Sequence, residues 1–429
     1  MNFNADYSER KALLAQAVQA LEAFYSDTES LKVSADWNPK EIRQYIARYQ
    51  FDSPQASEQV LKDVLEGLKA YAVHTPHPLY FGLFNPRAGF SAALADFITA
   101  VYNPQMAAWS HAPYANEVEN YLGQKFGEKM GYTPGKIDGT FCSGGAESNI
   151  TALLCALNFH FPAYREEGLQ GIKEKPIIYC SAEAHHSVLR AAMVAGLGKK
   201  AVVEIPTNAQ LQMDTKVLEQ QMEADLAQGK YPFMLAATAG TTGLGAIDNL
   251  GQCAAISQRY HLWFHVDAAY GGALVLAEEY RSLFAGIEQS HSITIDLHKW
   301  FSVPMAASLF LTSQPEILSQ TFGLYTEYMP RRGTLNGVVD PYTHSIQWSR
   351  RFIGLKMYLP LAIYGWKGFE EMILHQMEMG DRLRELLEKE GWIIQNETPL
   401  PIVCFDHPDL TEEDILKMNQ IITAEGQAW

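Results

Sequence analysis

The stretch Ser292-Ile293-Thr294-Ile295-Asp296-Leu297-His298-Lys299-Trp300 decides how the chain is read. Small or polar residues alternate with β-branched Ile293 and Ile295, a pattern that favours extended backbone. The apolar run stops at His298, so Lys299 stands at a strand's exit. In open α/β sheets the carboxyl ends of strands open onto the ligand crevice. A lysine partly desolvated there titrates low enough to act as an amine nucleophile. On its own, a strand-end lysine is more often a solvated surface charge, so the weight falls on what else the chain places at strand exits.

Outward from this stretch, short apolar runs alternate with helical patterns. A strand at 139–142 leads into a helix over 146–161, and one at 176–180 leads to a helix over 187–192. Further strands are expected at 201–205, 232–238, 261–267 and 308–311. Such alternation predicts a mainly parallel sheet covered by helices on both faces, an α/β domain over residues 76–320.

Residues 1–75 form an N-terminal helical segment, with apolar residues returning every three or four through 10–21 and Pro39 opening a helix at its first position. These helices must bury their stripe on the rest of the protein or on a second copy. The proline-broken aromatic loop His74-Thr75-Pro76-His77-Pro78-Leu79-Tyr80-Phe81-Gly82 reads as core edge, interface or pocket wall. Residues 321–429 form a small α+β domain, with helices over 352–364 and 368–387 and strands at 392–394 and 401–405.

The 429 residues suffice for two or three cores at about 150 residues each. A net charge of −16 repels phosphate backbones and disfavours nucleic-acid binding. Five scattered cysteines without a CxxC pair read as buried thiols of a reducing compartment. The first residues lack a signal-peptide pattern, and no apolar run approaches about 18 residues, so no membrane contact is expected and a cytoplasmic location is.

Three more strand exits carry chemistry. Ser143-Gly144-Gly145-Ala146-Glu147 joins a strand to a helix, where bare backbone and the first N–H groups suit a phosphate, although the same pattern also makes a plain tight turn. It is neither a P-loop nor a GxGxxG fingerprint. His185 in Ala184-His185-His186 could stack on a flat ring or be a satisfied core histidine. Asp267, ending His265-Val266-Asp267-Ala268-Ala269-Tyr270-Gly271-Gly272, needs a positive or donating partner, which a pyridinium nitrogen would supply and a helix cap or salt bridge would too. Neither His185/His186 nor His261/His265 has metal-ligand spacing, so no metal is expected. Lysine, acid, glycine-rich helix start and histidine together are the groups that pyridoxal phosphate requires.

On these motifs, with His77-Pro78-Leu79-Tyr80-Phe81-Gly82, the chain resembles the group II pyridoxal-phosphate-dependent decarboxylases, which include aromatic amino acid and glutamate decarboxylases; the resemblance runs over about 37–425. It implies the fold type I of pyridoxal-phosphate-dependent transferases and decarboxylation of an L-amino acid through a Lys299 Schiff base. It implies Asp267 on the pyridine nitrogen, His185 stacked on one ring face with Ala269 on the other, Gly145 and Ala146 on the phosphate with His298 nearby, and Thr242 close to the cofactor. Tyr328 best matches the proton-donating tyrosine, with Tyr325 and Tyr342 as rivals and a structural tyrosine as the other reading. Phe84, Asn85 and Trp109 fall where relatives line the substrate pocket, partly from a neighbouring subunit, which implies a homodimer. Arg87 could take an acidic substrate side chain by a bidentate contact or serve a surface or interface salt bridge. Leu297 replaces the usual proline before His-Lys. Relatives continue for tens of residues past the position of Trp429, so the small domain is expected to be shortened, with an uncovered sheet edge. Other pyridoxal chemistry, such as transamination or carbon–carbon lysis, and a catalytically silent dimer are the competing readings.

Overall fold

In the computed structural model, which describes residues 5–35, 37–324 and 338–429, the apolar runs pair into one seven-stranded sheet. Its strands are β1 (Asp138–Cys142), β2 (Lys175–Ser181), β3 (Val202–Ile205), β4 (Lys230–Thr238), β5 (Trp263–Asp267), β6 (Ser292–Ile295) and β7 (Ser308–Thr312). Their order is β1-β7-β6-β5-β4-β2-β3. Strands β2 to β6 pair in parallel, whereas β7 runs antiparallel to both β6 and β1. The exits of β1, β2, β4, β5 and β6 therefore lie along one edge. Side chains alternate between two apolar layers, with Phe264 and Val266 in one and Trp263 in the other. Helix Gly145–His160 packs on the second layer through Leu153, Ala156 and Leu157.

Strand β5 starts two residues later than the sequence predicts. His261 has a left-handed backbone (φ 56°) in the turn that closes helix Leu250–Arg259, and Leu262 N–H bonds back to Ser257 O. The two helices expected over 352–387 are one element, Leu355–Lys389, kinked at Gly365 with φ 65°. The small sheet pairs only β8 (Ile393–Ile394) with β9 (Phe405–Asp406). Ahead of β9, Pro401 has no N–H, and the Asn396 side chain takes the place of a neighbouring strand by donating to Ile402 O (2.9 Å) and accepting from Cys404 N (2.8 Å).

The chain divides into two compact units, residues 88–407 and residues 1–87 with 408–429. In the latter, Asn38 caps helix Pro39–Ile46, and the aromatic loop packs on the last residue. Tyr80 stacks on Trp429 with centroids 5.5 Å apart, and Phe81 N–H donates to Trp429 O at 2.7 Å. Gly82 is required by space, since a Cβ there would lie 2.2 Å from the Trp429 ring. Among the described residues no helix is long and apolar enough to cross a membrane.

Buried His265 and the half-buried His160 and His291 make the sheet domain acid-sensitive. Burial pushes His160 and His291 from 6.5 down to about 4, and His265 in the same direction. These rings are neutral when folded, while the unfolded chain takes up protons below about 6.5. Their contribution is present above that pH and is lost as pH falls toward 4, on the order of 1–3 kcal/mol each. The urea midpoint at pH 4.5 is expected to fall clearly below that at pH 7.5, and equal midpoints would contradict this account.

Candidate active site

Lys299 leaves β6 in a tight turn, its N–H bonded to Asp296 O at 3.1 Å. Its Nζ lies 3.1 Å from Asp296 Oδ2, and the pair is set into the sheet edge, with Asp296 buried and Lys299 about a quarter exposed. His298 is buried behind it. Its Nδ1 lies 3.0 Å from Ala307 N and 2.7 Å from Ala307 O. Burial pushes the His298 pKa down, so the ring is neutral near pH 7 and its 3.8 Å approach to Asp296 is not an ion pair there. Lys356, at the first turn of helix Leu355–Lys389, donates to the carbonyls of Pro304, Met305 and Ala306 at 3.4, 3.1 and 3.2 Å and so braces the segment that clasps His298.

The glycine turn meets this segment. Helix Gly145–His160 begins without a side-chain cap, so Gly145 and Ala146 head it with backbone alone. A Cβ on Gly145 would sit 2.9 Å from Asp296 Oδ2, and one on Gly144 would sit 3.7 Å from His298 Cε1. Glu147 folds back to accept from Ser143 N (2.9 Å) and Oγ (2.6 Å) and is held in turn by Gln347.

Asp267 ends β5 in register with Thr294 of β6 and Thr238 of β4. Its Oδ2 accepts from Asn149 Nδ2 at 2.7 Å and its Oδ1 from Ala269 N at 3.1 Å. Asn149 also donates to Ser187 Oγ at 2.8 Å, which ties the strand tip to the turn bearing His185. His185 Nδ1 accepts from Ser187 N at 3.2 Å, leaving the ring at the solvent-facing rim. Partial burial pushes its pKa down, the Asp267 charge opposes this and Lys299 adds to it. Lysine, acid, histidine and glycine-headed helix thus face one another at a single edge.

The remaining predicted residues are placed as follows. Ala269 is half-buried beside Asp267, and Thr242 is exposed next to Thr241, whose Oγ1 accepts from Ala246 N. Trp109 donates its indole N–H to Glu117 at 2.7 Å and its backbone N–H to Asp340 at 2.8 Å. Phe84, Asn85 and Arg87 belong to the other unit. There Asn85 accepts from Tyr80 OH at 3.0 Å, and the Arg87 guanidinium lies 4.8 Å from the centre of the Tyr25 ring. Tyr328 and Tyr325 lie outside the described residues, and Tyr342 is buried against Trp348.

Sequence reasoning missed Asp296 and Asn149. Asp296 stands three residues before Lys299 at the end of an apolar strand, the same signal that singled out Asp267. Asn149 lies two residues past the quoted glycine turn, one turn into helix Gly145–His160, and a polar residue in a first turn carries no signal of its own.

The site fits pyridoxal phosphate on its own geometry. An uncapped helix start offers N–H groups to a phosphate, and Gly144 and Gly145 leave its backbone bare, a Cβ at Gly145 being excluded by Asp296 Oδ2 at 2.9 Å. Fold and site define a pyridoxal-phosphate enzyme of fold type I.

Comparison with known proteins agrees. Residues 39–407 match the family described as the pyridoxal-dependent decarboxylase conserved domain. The chain is 27% identical over 406 residues to an aromatic-L-amino-acid decarboxylase of Bacillus atrophaeus, covering 94% of this chain and 83% of that protein. It is 30% identical over 374 residues to the acidic amino acid decarboxylase GADL1 of Mus musculus, covering 86% and 67%. The crystal structure of mouse CSAD superposes with a TM-score of 0.90 at 26% identity, over 99% of this chain and 91% of that one. The chain belongs to the pyridoxal-dependent decarboxylase family. It is a pyridoxal-phosphate-dependent enzyme that decarboxylates an amino acid.

Proposed function

We propose that the reaction takes place around Lys299 and that the substrate carries an acidic side chain. The observation that carries the first part is the meeting of Lys299, Asp267, His185 and the Gly145 helix start at one sheet edge. Bound there, pyridoxal phosphate supplies the electron sink for the pair released as CO2 departs. Lys299 is the amine that tethers it. Asp296 Oδ2, 3.1 Å from Nζ, would hold Lys299 as an ammonium whenever it is not the tether. Asp267 would hold a proton at the ring nitrogen, and His185 and Ala269 would pack against the ring. Gly145 and Ala146 hold the phosphate through backbone N–H, with His298 behind them and Thr242 close by. The pocket residues would hold the substrate with the bond to its departing carboxylate aligned to that electron sink. Tyr328 returns the proton to Cα.

Phe84, Asn85, Arg87 and Trp109 are assigned to the substrate, in part from a second copy of the chain. The acidic specificity draws on the Arg87 guanidinium, whose fork suits a carboxylate, and on similarity to acidic amino acid decarboxylases such as GADL1. A homodimer is supported by helix Phe90–Tyr102, where Phe90, Leu94, Phe97 and Val101 recur at helical spacing and stay exposed. We place the enzyme in the cytoplasm on its scattered free cysteines.

A panel of amino acids assayed for CO2 release tests the substrate class. Arg87→Ala is expected to lower kcat/KM for an acidic substrate by about 10- to 100-fold, the worth of a charge-assisted hydrogen bond, with little change for an aromatic one. Equal loss on both would remove Arg87 from the substrate site, and a mass of one chain in sedimentation equilibrium would remove the dimer.

A further inference from the structure

The acid at the tip of β5 is the last member of a buried chain of hydrogen bonds that runs back through the sheet. Trp263 Nε1 donates to Ser292 Oγ at 2.9 Å, and Ser292 Oγ lies 2.8 Å from His265 Nδ1. His265 Nε2 lies 3.0 Å from Asn149 Oδ1, and Asn149 Nδ2 donates to Asp267 Oδ2 at 2.7 Å. Two branches complete it. Thr294 Oγ1 donates to Asn149 Oδ1 at 2.9 Å while receiving from Ser148 Oγ at 2.8 Å, and Asn149 Nδ2 also donates to Ser187 Oγ at 2.8 Å. Every member is at least nine-tenths buried.

The ends dictate the proton positions between them. A carboxylate only accepts, so Asn149 turns its NH2 to Asp267 and its Oδ1 to His265 Nε2, which must donate; Ser292, which accepts from the Trp263 indole, is left to turn its own proton to a bare Nδ1. The imidazole then carries its proton on Nε2 and gives it to Asn149 Oδ1. Burial keeps this ring neutral by pushing its pKa down. With Oδ1 filled by His265 and Thr294, the Asn149 amide can point only its NH2 at Asp267 and Ser187. Turning the amide over would set its oxygen against a carboxylate oxygen and strand two donors.

We infer that Asn149 is a positioning residue for the pyridoxal-phosphate reaction: held in one orientation by His265, Thr294 and Ser187, it fixes the Asp267 carboxylate as a hydrogen-bond acceptor turned to the cofactor's ring nitrogen. This rests on the reading that Asp267 faces that nitrogen. Asn149 touches neither cofactor nor substrate and acts through Asp267. Ala269 N–H takes the other carboxylate oxygen, so the acid is gripped on both sides and its remaining lone pairs are aimed.

The test uses holoenzyme loaded with pyridoxal phosphate labelled with ¹⁵N in the ring, together with titration of the cofactor-free protein for affinity. Asn149→Leu keeps the volume and removes the grip, and Asn149→Ala removes it without a bulky replacement. Both are expected to move the ring-nitrogen resonance toward the unprotonated range and to weaken cofactor binding by about 10- to 100-fold. The thermal midpoint of each cofactor-free variant separates this from general unfolding. An unchanged resonance in a folded variant overturns the inference. Asp267→Asn tells the two readings apart: if it also leaves the resonance unchanged, the placement of Asp267 on the ring nitrogen has failed; if it shifts the resonance while the Asn149 variants do not, only the role of Asn149 has. Should neither Asn149 variant fold, ¹⁵N shifts of His265 in the unaltered holoenzyme decide. Protonation at Nε2 with bare Nδ1 is required, and the opposite tautomer or a doubly protonated ring overturns the inference.

Discussion

Replacing Lys299 by alanine or arginine is expected to abolish CO2 release, by at least about 10³-fold, because Lys299 is the amine set beside Asp296 at the strand exit. The two variants differ where it is informative. Lys299→Arg keeps a cation beside Asp296, which is 3.1 Å from the native ammonium, whereas Lys299→Ala leaves a buried carboxylate without it. Both should lose the visible absorbance of lysine-bound cofactor after gel filtration. Only the alanine variant should lose appreciable stability without cofactor, and only it should regain part of its turnover with added methylamine. Turnover retained in both would move the tether to another residue.

Asp267→Asn is expected to lower kcat by about 10²- to 10³-fold at saturating cofactor, the usual cost of removing one preorganised charge from a reacting centre. The substitution preserves size, and Asn149 Nδ2 can still donate to the new amide oxygen at the place where it now meets Oδ2 at 2.7 Å. What changes is the side toward Ala269 N–H and the crevice, where an NH2 replaces an acceptor. Loss of kcat far larger than the modest drop in thermal midpoint that the opposed N–H groups cause is the expected signature, measured by initial rates of CO2 release and by calorimetry. A variant within about tenfold of the native rate would show that the ring nitrogen needs no anion here.

The frame of the molecule could be read in the sequence because parallel strands buried on both faces leave continuous apolar runs, and each of β1 to β7 falls on one of them. The boundaries that moved did so for local reasons invisible to periodicity: a left-handed His261 closing a helix, a kink rather than a break at Gly365, and Asn396 standing in for a strand ahead of β9. Lys299, Asp267, His185 and the glycine turn were legible because each ends an apolar run in a residue type that does not belong in a core. Asp296 carried the same strand-end signal and was passed over, whereas Asn149 was not legible, since its meaning lies in its contact with Asp267, over a hundred positions away. The antiparallel course of β7 could not be foreseen either, because strand direction leaves no trace in an apolar run.

That reversed strand determines how residues 296–307 are held. A parallel successor to β6 would require its connection to cross to the far side of the sheet, leaving the lysine on a segment anchored at one end only. Because β7 returns alongside β6, both ends of the segment are stitched to the same rim, and the β1 exit lies beside the β7 entry where Cys142 pairs with Ser308. The conformational entropy of ordering this segment is lost when the chain folds and not when the cofactor arrives, which favours rapid and tight loading of the empty protein.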